Sequence, residues 1–180
     1  MKLSLGSWFL ISVLSAYLAG TVYARSLEEI KKTKELRICL VVYPGINYVE
    51  PKDCKEKCKY SGPAYDIANA FADHLKVKKT YKQITWDEQF YNDQGKTDRE
   101  GEYTPEHVKT GNCDVYPNNV TKLPWREKKL AFAILFPSRM MVIINKKDKS
   151  TIKELKDLAG KSFVTQKDTS FHTWAVEQNK

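Results

Sequence analysis

GNCDVYPNNVTKLPWR, residues 111–126, decides how the rest of the chain is read. Cys113-Asp114-Val115-Tyr116 has the pattern of a short buried strand, broken at Pro117. Asn118, Asn119 and Thr121 follow, where a parallel strand presents its carboxyl end and open α/β sheets hold ligands. Thr121 is placed to cap a short helix carrying Pro124, Trp125 and Arg126, which would set the Arg126 guanidinium beside backbone N–H groups and hydroxyls. A fork of donors of that kind suits a carboxylate, because a planar guanidinium pairs with it bidentately and an ammonium cannot. An Arg in a polar loop is more often a solvated or salt-bridged surface residue. The surroundings of Arg126 are what set it apart.

Upstream, residues 26–34 predict a short charged helix, with Ser26 as cap and Glu28 and Glu29 in its first turn. Residues 36–42 predict a buried strand that Tyr43-Pro44-Gly45 ends, leaving Tyr43 in the loop beyond it. A polar insertion follows, and residues 64–75 then repeat apolar side chains at helical spacing. Residues 79–85 alternate as a strand, with Trp86 just past its end, and residues 92–101 read as a loop. Thr104-Pro105-Glu106 marks a helix start, with Thr104 as cap, and Gly111 its end. Downstream, residues 140–144 and 162–165 predict strands, Thr151-Ile152-Lys153-Glu154 a capping box opening a helix to Leu158, and Asp168-Thr169-Ser170 the cap of a last helix. Strand and helix alternate, which defines an α/β chain.

The chain opens with Lys2, an apolar run from Trp8 to Leu18, and Val22-Tyr23-Ala24, the form of a secretory signal peptide cleaved after Ala24. The apolar run is short for a membrane span, which needs roughly 20 residues. Removing 24 residues from 180 leaves 156, enough for one domain or two small lobes. The formal charge of +8 falls to +7 without Lys2, and most of the excess is Lys interleaved with acids. That is a solvated face, with no Arg-rich stripe or stacked aromatic set to indicate nucleic acid.

Four Cys in an exported chain can pair. The preferred pairing joins Cys39 with Cys113, in two expected strands, and Cys54 with Cys58, in the polar insertion. A metal site is the alternative for Cys54 and Cys58, against which no His lies nearby and no second pair completes a tetrahedral set. No Gly-x-Ser-x-Gly elbow, phosphate-binding glycine loop or His-Glu-x-x-His is present, and none of the three His sits with a Ser or Cys in a catalytic setting. The residues call for no cofactor and give no positive sign of an enzyme.

With the order of elements laid out, the chain resembles the type 2 periplasmic binding proteins, specifically the bacterial family 3 extracellular solute-binding proteins that deliver amino acids to ABC importers. The segments that carry the resemblance are Leu36-Arg37-Ile38, AYDIANAFA at 64–72, GNCDV followed by T-x-x-x-x-R at 111–126, LAFAILFPS at 130–138, and LKDLAGKSFVTQKDTS at 155–170. The resemblance implies a periplasmic-binding-protein-like type II fold of two α/β lobes joined by hinge strands, with ligand held in the cleft between them. Lobe 1 would span 25–137, and 138–180 would supply a hinge strand and the start of an incomplete second lobe, as in a fragment of a longer chain. It further implies that Arg126 grips a ligand carboxylate with help from Thr121 and Asn119, that Thr169 and Ser170 complete the anion site across the cleft, and that Tyr43 and Trp86 contact the ligand body.

Three departures stand out. Asp168 occupies a position where the family usually has Gly, Ala68 replaces an acid in the first long helix, and Pro117-Asn118-Asn119 replaces small hydroxyl-bearing residues. The function implied is capture of a small carboxylate-bearing, amino-acid-like solute outside the cytoplasm, for an ABC permease as partner. Two alternatives resemble the same fold: the ligand-sensing domain of a signalling protein, and an accessory protein of periplasmic quinoprotein dehydrogenases, whose members carry Cys at the positions of Cys39 and Cys113.

Overall fold

Strand β1 (Glu35–Val41) is buried along nearly all its length because neighbours cover it on every side. In the computed structural model, which describes residues 24–52, 54, 55, 57–101, 104–135, 137 and 141–179, β1 pairs in parallel with β4 (Lys78–Ile84), Glu35 opposite Lys78 and Val41 opposite Ile84. On its other edge Ile38 bridges Val115 in parallel, Asp114 N donates to Arg37 O at 2.8 Å, and Cys39 N donates to Val115 O at 3.1 Å. A strand flanked on both edges and packed on both faces reads as an unbroken apolar run.

The segment 113–116, expected as a strand, makes only that single bridge. Pro117 has no N–H with which to continue a ladder, and the Asn118 side chain continues it instead. Its Oδ1 accepts from Val41 N at 2.9 Å while its Nδ2 donates to Cys39 O at 3.0 Å.

Helix α1 (Leu27–Thr33) begins on a complete capping box, Ser26 and Glu29 each bonding the other's backbone, and ends at Lys34 in the left-handed region. Helix α2 (Pro63–Leu75) turns Ala64, Ala68 and Ala72 inward, and its small residues let it lie close on Leu36, Ile38 and Leu40 of β1. Gly62 before it has φ +120, and a Cβ there would sit 2.6 Å from Ile46 O, so both the turn and the close approach need glycine. On the opposite face Val41 and Ile84 pack with Cys39 and Cys113, which form a disulfide with Cα atoms 5.6 Å apart.

The polar insertion folds into a hairpin that the sequence pattern did not predict, β2 (Tyr48–Glu50) antiparallel to β3 (Lys59–Ser61). A second disulfide, Cys54–Cys58, closes it. Tyr60 of the hairpin packs on Tyr65 and Tyr81, their ring centroids 5.3–6.3 Å apart.

Other local expectations shift. Thr104 does not cap α3 (Glu106–Lys109); Pro105 occupies the cap position, without a side-chain hydrogen bond. Thr151 donates to Asp148 O rather than capping a helix, and Glu154 forms the box with Asp157 over the short 3₁₀ helix Leu155–Leu158. The described part of the expected strand 140–144, residues 141–144, and residues 162–165 form no strand and pair with nothing among the described residues. A strand needs a ladder partner as well as an apolar sequence, and Ile143 and Val164 stand 96% and 94% exposed. Of the expected hinge strand, residues 138–140 lie outside the described residues, as does the expected signal peptide up to Tyr23. The architecture is mixed α/β, with one small parallel and one small antiparallel sheet. Among the described residues no helix is long and apolar enough to cross a membrane.

The edge at 113–115 is pinned by charge. Arg25 Nε donates to Asp114 Oδ1 at 2.8 Å and its NH2 reaches both Asp114 Oδ2 and Glu35 O, while Arg37 N donates to the same carboxylate at 2.7 Å. The Asp114 carboxylate is fully buried. Asp114→Ala is expected to lower the unfolding free energy by roughly 3 kcal/mol, because it leaves Arg25 and a strand N–H without their acceptor. Urea denaturation measures this, and a loss below about 1 kcal/mol would show that the pair carries little.

His107 on α3 supplies a pH dependence. Burial first, and then Lys82, whose Nζ lies 3.4 Å from Nδ1, hold its pKa below the ordinary imidazole value against the pull of Glu88 and Glu106. The unfolded chain thus takes up this proton first, so the stability is whole above the ordinary imidazole range and is lost as pH falls toward the lower folded value. The urea midpoint is expected to drop between about pH 7 and about pH 5, and His107→Gln to flatten that drop.

Candidate functional site

The loop that leaves β1's neighbour is anchored before it reaches the site. Besides its bonds to β1, Asn118 accepts from Asn47 Nδ2 at 3.2 Å and donates to Gln89 Oε1 at 2.8 Å. It thereby ties three segments together with no exposure of its own. Gln89 belongs to the 3₁₀ helix Asp87–Phe90, which starts on reciprocal bonds between Thr85 and Glu88. This turn carries Trp86 and Phe90 to the same place as Arg126.

Arg126 lies on α4 (Pro124–Glu127) and is 1% exposed. Its guanidinium carbon sits 4.7 Å from the Phe90 ring centroid, 5.0 Å from that of Trp125 and 5.8 Å from that of Trp86. These are cation–π distances. NH1 donates to Thr121 O at 2.8 Å and NH2 to Asp168 O at 2.5 Å. Each terminal nitrogen thus gives one N–H to a backbone carbonyl, where the sequence pattern had the guanidinium turned to a ligand. Thr121 does not cap α4, whose cap position is Leu123. Its hydroxyl instead donates to Ser170 Oγ at 3.3 Å.

Across from α4, Thr169 caps α5 (Ser170–Gln178), accepting from His172 N at 3.2 Å. Asp168 just before it has φ +62, a left-handed conformation that Asp tolerates. Its carboxylate takes Arg99 Nε at 3.0 Å and Arg99 NH2, and Arg99 in turn lies 5.0 Å from the Trp125 ring centroid. Burial, with the Arg99 charge adding to it and Asp168 opposing, pushes the Arg126 pKa down to about 10, which leaves it cationic at neutral pH.

Among the described residues, three donors in this cluster have no hydrogen-bond acceptor: Arg126 Nε, Trp86 Nε1 and Trp125 Nε1. All three are buried, and indole and guanidinium groups can only donate.

The structure thus brings Arg126, Thr121, Trp86, Thr169 and Ser170 together. Asn119 stands beside them in the chain but exposed, at φ +54, and Tyr43 is 51% exposed in the turn after β1. Among the described residues no hydrogen bond, ion pair or ring contact joins the Tyr43 side chain to the Arg126 cluster. Sequence reasoning missed Phe90, Trp125 as a wall and Arg99. The Thr85-x-x-Glu88 spacing could have placed Phe90 on a turn beside Trp86. Nothing local signals Arg99, whose partner lies 69 positions away.

Comparison with protein-family models, with curated proteins and with solved structures gives no match.

Because the Arg126 side chain satisfies two carbonyls and fills the space between three rings, Arg126→Ala is expected to lower the unfolding free energy by roughly 3 kcal/mol. Chemical denaturation without ligand checks this. A surface Arg kept only for binding would cost almost nothing.

Proposed function

We propose that the chain is an extracytoplasmic solute-binding protein that captures a small carboxylate-bearing solute at the Arg126 cluster and delivers it to an ABC permease. The observation that carries the reading is the set of three buried donors without acceptors around one guanidinium. Each such donor costs on the order of 1–3 kcal/mol while unpaired, and an anionic acceptor at the cluster would relieve that cost at the donor it meets. The helix start at Thr169 and Ser170 adds N–H groups and hydroxyls on the far side, and α5 turns the positive end of its dipole the same way. The aromatic walls suit an apolar ligand body.

The reading of two lobes about a hinge belongs to this proposal. Its support is the motif order at 36–38, 64–72, 111–126 and 155–170, together with the contact between segments 99–126 and 168–172. A second reading, an accessory protein of a periplasmic quinoprotein dehydrogenase, draws support from the disulfide that joins Cys39 in the first strand to Cys113 in the GNCD segment.

Calorimetry with amino acids and small monocarboxylic acids tests the first reading. Since Arg126 also holds the fold, the informative variants are Trp125→Phe and Ser170→Ala. Each is expected to weaken the best ligand about fivefold or more while the protein stays folded by circular dichroism. Unchanged affinity in both would remove the cluster from ligand binding.

A further inference from the structure

One residue touches both cations of the cluster. Through its left-handed backbone, Asp168 presents its carbonyl to Arg126 NH2 and its carboxylate to Arg99 Nε and NH2. The carboxylate is only 7% exposed, and Arg99 is 30% exposed. The pair therefore stands at the rim of the cluster, with its acid on the inside. His172 closes the arrangement: its Nδ1 lies 3.1 Å from Arg99 NH2 and 3.4 Å from Asp168 N. In this arrangement Nδ1 faces both donors and stands as their acceptor.

The Asp168 carboxylate pairs with Arg99 while its backbone carbonyl takes Arg126, so two guanidiniums and one carboxylate leave a single net positive charge beside the donors that lack acceptors among the described residues. Resting on the anion reading above, we infer that Asp168 fixes the charge the site accepts: one guanidinium is already neutralised from within, so the site takes monoanions, such as a monocarboxylate, and discriminates against dianions. A dianion entering would bring a second negative charge close to the Asp168 carboxylate in a water-poor setting, where like charges repel strongly. Specificity of this kind comes from a repulsive element as much as from an attractive one. The ligand class is thus a small organic acid carrying one net negative charge.

Asp168→Asn is the direct test, because Asn keeps the volume and tolerates the same left-handed backbone. Benzoate and propionate serve as monoanionic probes, phthalate and succinate as dianionic ones, with affinities read by calorimetry. The wild-type protein is expected to prefer each monocarboxylate over its dicarboxylate counterpart by about tenfold or more, and Asp168→Asn to move that ratio about tenfold toward the dicarboxylates. An Arg99→Gln variant removes the other half of the pair and leaves Asp168 facing the ligand uncompensated. It is expected to lose monocarboxylate affinity about tenfold and dicarboxylate affinity by more, whereas a merely structural ion pair would lower both in proportion. Binding with an unchanged ratio in both variants overturns the role of Asp168 while leaving the anion site standing. Folded wild-type protein that binds none of the four probes and no amino acid overturns the anion reading itself, and this inference with it.

Discussion

The fold turns on one side-chain amide. Asn118 stands where Pro117 has ended the backbone ladder, and it does the work of a peptide group, accepting from Val41 N and donating to Cys39 O. The same amide holds Asn47 and Gln89, and so fixes the turn after β1 and the 3₁₀ helix after β4 against a single point. Trp86, Phe90 and Thr121 each lie within a turn's length of Gln89 or Asn118 in the chain. A buried, fully engaged polar group is costly to disturb and therefore specifies geometry. The Cys39–Cys113 disulfide and the Arg25–Asp114 pair secure the same edge from the other side.

The first half of the chain was largely legible. Leu36 to Val41 is buried between β4 and the bridge at Val115, which is what an unbroken apolar run means, and the Ser26 cap and the helical spacing over 64–75 are local signals that local physics obeys. The later apolar runs misled because an apolar pattern states what a segment would bury and is silent about its partner. Val142 and Ile144 do turn toward Ile152, Leu155 and Leu158 around a groove of about 280 Å³, yet no strand comes alongside them among the described residues.

At the site, the sequence grouped residues without showing what they do to one another. Arg126, Thr121, Thr169 and Ser170 were grouped, and the structure gathers them, but the guanidinium is held within the protein rather than open as a fork. The reason is the aromatic wall: rings of Trp86, Phe90 and Trp125 draw the cation in among them, and a desolvated guanidinium takes the nearest carbonyls. Long-range pairs such as Arg99 with Asp168 have no signature in a linear pattern. The departure at Asp168 was readable only as an odd residue, and its meaning came with the partner.

The placing of Trp125 has a practical side. Its indole ring lies 5.0 Å from two guanidiniums at once, and Trp86 borders the same cluster. Indole emission is sensitive to nearby charge and to contact with water, so rearrangement of these cations registers in the protein's own fluorescence. The molecule carries a built-in optical reporter of the cluster, readable without any label.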